Sequence, residues 1–84
     1  MMSYGEMRAV SLHAARSYLR VQGIDPVMAT CKDAEAALDD ICRTDDSLIV
    51  YVWWVQCASK TQTRLFRAEW NAWAKAEKSS RFSR

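Results

Sequence analysis

The stretch Leu48-Ile49-Val50-Tyr51-Val52-Trp53-Trp54-Val55 decides the fold. Every residue after Leu48 is β-branched or aromatic, which is the composition of a strand. A strand must satisfy its backbone N–H and C=O groups against a neighbour. The nearest candidate is 61–67, across a turn at Ala58-Ser59-Lys60. That segment, however, reads as part of a helix. Over 60–78, Lys60, Arg64, Arg67, Asn71, Lys75 and Lys78 fall within about 80° of one helical face. Leu65, Phe66, Trp70, Ala72, Trp73 and Ala76 fall on the other side. Read as a strand, Arg64 and Phe66 would share one face and Leu65 and Arg67 the other, which is no pattern at all.

With 60–78 helical, the apolar segment 48–56 has no partner strand and is expected to be a short, fully buried helix. The preferred fold class is therefore all-α, a small helical bundle with helices near 7–21, 26–43 and 60–78. The alternative is α+β, with 48–56 a strand in a hairpin with 61–67 or paired across a dimer, because an unpaired edge invites a second copy. Periodicity alone does not separate the two for so short an apolar run. Trp53 and Trp54 cannot both face inward on a strand.

The two glycines and the single proline all precede residue 27. The breaker-free remainder favours helices joined by polar turns. In the second helix Val27, Cys31, Ala34, Leu38, Ile41 and Cys42 form an apolar stripe, and Lys32, Asp33, Glu35, Asp39, Asp40 and Arg43 face away. Asp25 as N-cap with Pro26 in the first turn starts it at 26. A shorter version, capped by Thr30 with Asp33, would leave 27–30 extended. Asp39 and Arg43 are spaced as an i,i+4 ion pair. In the first helix Leu12, Ala15, Tyr18 and Leu19 share a face, while His13, Arg16 and Arg20 cluster on another. Ser3 and Glu6 have capping-box spacing, and Gly23 sits where a helix C-terminal glycine belongs. All 84 residues are read as one domain, with 79–84 a frayed basic tail.

The formal net charge of +2 conceals a segregated map. Arg8, Arg16 and Arg20 outweigh Glu6 before residue 25. Asp25, Asp33, Glu35, Asp39, Asp40, Asp45 and Asp46 outweigh Lys32 and Arg43 up to residue 46. Beyond it Lys60, Arg64, Arg67, Lys75, Lys78, Arg81 and Arg84 outweigh Glu69 and Glu77. Such segregation bears on partners rather than on fold.

The three cysteines, Cys31, Cys42 and Cys57, cannot all pair within one chain. The opening residues lack the basic start and apolar core of a signal peptide. Both observations predict a reducing, cytoplasmic setting. The apolar run at 48–55 is far short of the ~20 residues that cross a bilayer, so no membrane partner is expected.

Candidate chemistry is sparse. His13 with the three cysteines is formally a Cys₃His set, but it lacks the tight C-x₂₋₄-C pair of structural zinc sites. The cysteines therefore read as small hydrophobes. Asp39-Asp40 and Asp45-Asp46 lack the calcium-loop pattern. They read as a solvated acidic face, with Asp45, Asp46 and Ser47 suited to cap the next element. No nucleophile elbow, phosphate-binding loop or metalloprotease motif occurs. Neither catalysis, metal nor cofactor is expected. A helix-turn-helix reading of the first two helices fails on charge, since the recognition helix would be acidic.

What remains is binding. The nine aromatic residues, four of them tryptophan, suit a contact surface. The expected function is that of a non-catalytic interaction protein binding a larger protein or ribonucleoprotein. Small proteins of this kind include phage or mobile-element inhibitors of a host defence complex. Asp33, Glu35, Asp39 and Asp40 would form an acidic partner face that imitates phosphate. Lys60, Arg64, Arg67, Lys75 and Lys78 would form a basic face for an acidic partner. The alternative function is nucleic-acid binding by that same basic face. A homodimer is a further expectation, with 48–55 as its seam if that segment is a strand.

Overall fold

The computed structural model describes residues 2–44 and 47–82. Four helices occupy most of it. They are α1 (Tyr4–Val21), α2 (Cys31–Arg43), α3 (Leu48–Tyr51), which continues into a π-helical segment over Val52–Cys57, and α4 (Lys60–Phe82). No strand occurs among the described residues, so the all-α expectation holds and both strand pairings of 48–56 are set aside.

Local signals set the ends of α1. Ser3 accepts the Glu6 amide, and Glu6 reaches back to the Ser3 amide, which completes the capping box. The helix therefore begins at Tyr4, a turn earlier than its periodicity predicts. At the other end Gly23 adopts φ 79°, and the Gly23 and Ile24 amides donate to the Arg20 and Leu19 carbonyls. This pattern closes a helix on a left-handed residue, where glycine carries no Cβ penalty.

The start of α2 departs from the preferred expectation. It begins at Cys31, not Pro26, with Thr30 and Asp33 forming a reciprocal capping box. Pro26 instead occupies a turn in which the Met28 amide donates to the Asp25 carbonyl. Proline presets the dihedral that such a turn needs. Asp25 still acts locally, its carboxylate accepting from the Val27 amide. The 26–29 segment is thus turned, not extended. It is tied to α4 by the Trp70 indole, whose Nε1 donates to the Ala29 carbonyl at 3.2 Å, while Val27 is buried.

The core gathers Leu12, Ala15 and Leu19 from α1, Ala34, Ala37, Leu38 and Ile41 from α2, Val50 and Trp53 from the central segment, and Phe66 and Trp70 from α4. Segment 48–56 is helical but not fully buried as expected. Val50 and Trp53 are enclosed, whereas Leu48, Ile49 and Val55 are exposed. A helix three turns or fewer in length turns one side inward and must leave the other outside. Ser47 caps α3, accepting from the Val50 amide; Asp45 and Asp46, expected to assist it, lie outside the described residues.

On α4 the enclosed residues are Phe66, Trp70 and Ala74, with Trp73 half-buried; Leu65, Ala72 and Ala76, expected on the core side, are exposed. The helix continues to Phe82, so residues 79–82 of the expected basic tail are helical, while Ser83 and Arg84 lie outside the described residues. An Arg81–Asp25 ion pair at 2.6 Å ties that last turn to the turn between α1 and α2.

Candidate interaction surface

The four acidic residues singled out on α2 are all engaged within the chain. Asp33 closes the capping box with Thr30. Glu35 accepts a two-pronged pair from Arg67, with Nη2 to Oε1 at 2.9 Å and Nε to Oε2 at 3.2 Å. Asp39 accepts from the Trp54 indole Nε1 at 2.6 Å. Asp40 accepts from the Tyr18 hydroxyl at 2.7 Å and pairs with Arg43. Arg43 thus pairs with Asp40, one turn of the helix away, rather than with Asp39. The acidic face is in large part a set of struts to α1, the π-segment and α4.

The basic face of α4 is the reverse. Lys60, Arg64, Arg67, Lys75 and Lys78 are all exposed along one side, as the spacing predicts. Only Arg67 of these has an ion-pair partner among the described residues. Its hydrogen bonds to Glu35, and that carboxylate's charge, raise the Arg67 pKa above its ordinary value. The other four point their charge at solvent. With 1.5 Å of rise per residue, Lys60 to Lys78 spans about 27 Å.

Two open depressions flank this row. Ala58, Ser59, Lys60, Thr63, Arg64 and Arg67 line one of about 410 Å³ at the start of α4. The other, of about 420 Å³, lies between Lys75 and Lys78 and the 27–31 segment. At the first of these, the positive end of the helix dipole adds to the potential of Lys60 and Arg64.

The basic residues of α1 behave differently. His13 is exposed. Arg16 turns away from the expected cluster, its guanidinium lying over the Trp73 ring at 4.1 Å. Arg8 bonds Glu69 at 2.5 Å and Gln62 at 2.7 Å, bracing α1 against α4. Sequence reasoning missed the Arg8, Arg16 and Arg81 contacts, since each partner lies more than fifty residues away in the chain.

The tryptophans are mostly structural. Trp53, Phe66 and Trp70 are enclosed and in contact, with centroids 5.5 Å apart for Trp53–Phe66 and 6.3 Å for Phe66–Trp70. Trp54 and Trp73 lie at the ends of this row, half-buried. None of the four is open on both ring faces in the manner of a base-stacking platform.

All three cysteines are free and half-buried. Burial, together with the nearby Asp39 charge, pushes the Cys42 thiol pKa up, which leaves less thiolate for nucleophilic attack. No group of three or more potential metal ligands gathers among the described residues. No helix there is long and apolar enough to cross a membrane. Comparison with family models, curated proteins and solved structures yields no match.

Proposed function

We propose that this chain is a non-catalytic interaction protein that docks on a larger protein or ribonucleoprotein through the basic face of α4. One observation carries the reading. Lys60, Arg64, Lys75 and Lys78 are exposed without ion-pair partners among the described residues, while Asp33, Glu35, Asp39 and Asp40 of α2 already make contacts within the chain. An acidic surface that meets this row recovers Coulomb energy that nothing in the chain already uses. The acidic face is correspondingly less suited to imitate phosphate, since Glu35, Asp39 and Asp40 would have to give up internal contacts. A cytoplasmic setting accords with three free thiols. A phage or mobile-element inhibitor of a host defence complex is the role we favour within this class, on small size and segregated charge alone.

A second reading, nucleic-acid binding by the same row, draws on the position of Lys60 and Arg64 at the positive end of a long helix. Affinity purification from the native host, with and without nuclease, separates the two. A nuclease-resistant partner lost by the Arg64→Glu/Lys75→Glu double variant supports docking on protein. Capture that nuclease abolishes, with retention on DNA or RNA falling steeply with salt, supports the second reading. A folded double variant that captures the same partner unchanged would exclude both.

A further inference from the structure

The side of α4 turned away from the core carries two parallel bands. One is the basic row of Lys60, Arg64, Lys75 and Lys78. Beside it Leu65, Ala68, Ala72 and Ala76, with Thr61 and Ser79, fall within a further arc of about 80°, and all six are exposed. This second band carries no charge along its length. Ala68, Ala72 and Ala76 follow one another at a turn per step, a low ridge that lets a second helix axis approach to about 8 Å. Phe66, Trp70 and Ala74 hold α4 to the core on the opposite side, so both bands face outward together.

We propose, on the reading of α4 as a protein-docking face, that the element it receives from the partner is an acidic amphipathic α-helix. Its apolar stripe lies along Leu65, Ala68, Ala72 and Ala76, and its carboxylates lie along Lys60, Arg64, Lys75 and Lys78. Charges flanking a packing seam are what set partner choice between paired helices. Lys60 and Arg64 stand four residues apart and Lys75 and Lys78 three, the intervals at which side chains recur on one edge of a facing helix.

The charge map selects this occupant. Among the described residues every Asp and Glu except Glu77 already accepts a hydrogen bond within the chain. Glu77 lies on α4 itself, so a second copy has no acidic helix face to offer. A lipid surface takes up helices with bulky apolar faces, and here one leucine stands among alanines. The phosphates of a nucleic acid would answer the cations and gain nothing from the alanine band.

Titration with synthetic peptides, read by circular dichroism and sedimentation, tests the proposal. The probe is a peptide of about 21 residues with leucine at its heptad core positions and glutamate on both flanks, which repel and keep it unassociated on its own. Mixed with the protein it should gain helix signal, and salt raised from about 0.05 to about 0.5 M should weaken binding about tenfold. A scrambled peptide of the same composition has the charge without the stripe and should bind about tenfold more weakly. Ala72→Arg adds positive charge but obstructs the band. It should keep its circular dichroism and lose the ordered peptide by about tenfold. Arg64→Glu/Lys75→Glu should lose both peptides. Equal binding of the two peptides, or ordered-peptide binding that Ala72→Arg leaves unchanged or strengthens, would overturn the acidic helix while keeping a docking face that reads charge alone. Absence of binding by either peptide at about 500 micromolar would also overturn it. Capture of a host protein that Arg64→Glu/Lys75→Glu loses would then still uphold docking through α4, and its absence would remove both. A DNA duplex or phosphatidylserine vesicles bound where the ordered peptide is not, or self-association that Ala72→Arg abolishes, would overturn the proposal in favour of that occupant.

Discussion

The Arg16 guanidinium carbon stands 4.1 Å from the centre of the Trp73 ring, while its Nε is buried without a hydrogen-bond partner. Burial, with the neighbouring Arg20 charge, lowers the Arg16 pKa against the opposing pull of Glu77. The side chain contributes its stem and its cation–π contact more than hydrogen bonding. Arg16→Ala should cost about 1 kcal/mol in urea denaturation, within the range for a partly exposed cation–π contact plus lost packing. Arg16→Met, which keeps the stem and removes the unpaired donor, should cost less. Equal stability of all three forms would show that the stack contributes nothing.

Phe66 and Leu65 are neighbours with opposite roles. Phe66 is fully enclosed between Trp53 and Trp70, and Leu65 is 39% exposed. Phe66→Ala should cost about 3–5 kcal/mol. In a domain of this size that approaches the whole stability margin, so the variant should be largely unfolded by circular dichroism at 37 °C. Leu65→Ala should melt within a few degrees of the unmodified chain.

Thr30, rather than Asp25, is the N-cap of α2. Thr30→Ala should destabilise by about 1 kcal/mol. It should also raise hydrogen exchange at the Asp33 amide, which donates to Thr30 Oγ1. Protection of that amide left intact would place the start of α2 elsewhere.

Asp25 couples the last turn of α4 to pH. Its pKa is lowered, first by the hydrogen bond from Arg81 and next by that from the Val27 amide. A carboxylate with a depressed folded pKa stabilises the fold fully above its unfolded value of about 3.9, and that contribution is lost as pH falls through the folded value. Amide exchange near residue 81, corrected for the intrinsic pH dependence of exchange, should therefore rise below about pH 4. Asp25→Asn should show the raised exchange already at neutral pH and lose the acid-dependent step.

Elements set by neighbours in the chain are visible in the sequence. The Ser3–Glu6 box, the Gly23 terminator and the basic row of α4 need only local spacing. What the sequence withholds is the register between helices. Periodicity places Lys60 to Lys78 on one face but does not say that Arg67 meets Glu35, 32 residues away. It places Leu65, Ala72 and Ala76 on an apolar side, yet the core reaches only the arc of Phe66, Trp70 and Ala74. Asp25 and Thr30 both have cap spacing, and only the tertiary bond from Trp70 to the Ala29 carbonyl, 41 residues away, ties the 26–29 turn in place. The candidate surface follows the same division: which side chains are cationic is written locally, while which of them stay unpaired is decided by tertiary contacts.

The π-helical segment Val52–Cys57 has a consequence for chain length. Its i→i+5 bonding accommodates an extra residue where an α-helix would have none. Removing a residue at the exposed Gln56 would tighten this turn toward α geometry and leave the elements on both sides in register. The same deletion within α2 or α4 would rotate every later side chain by about 100° and drive lysines toward the core. A single-residue deletion should therefore be tolerated at Gln56 and rejected in the long helices, making this turn a place where the chain can shorten and keep its fold.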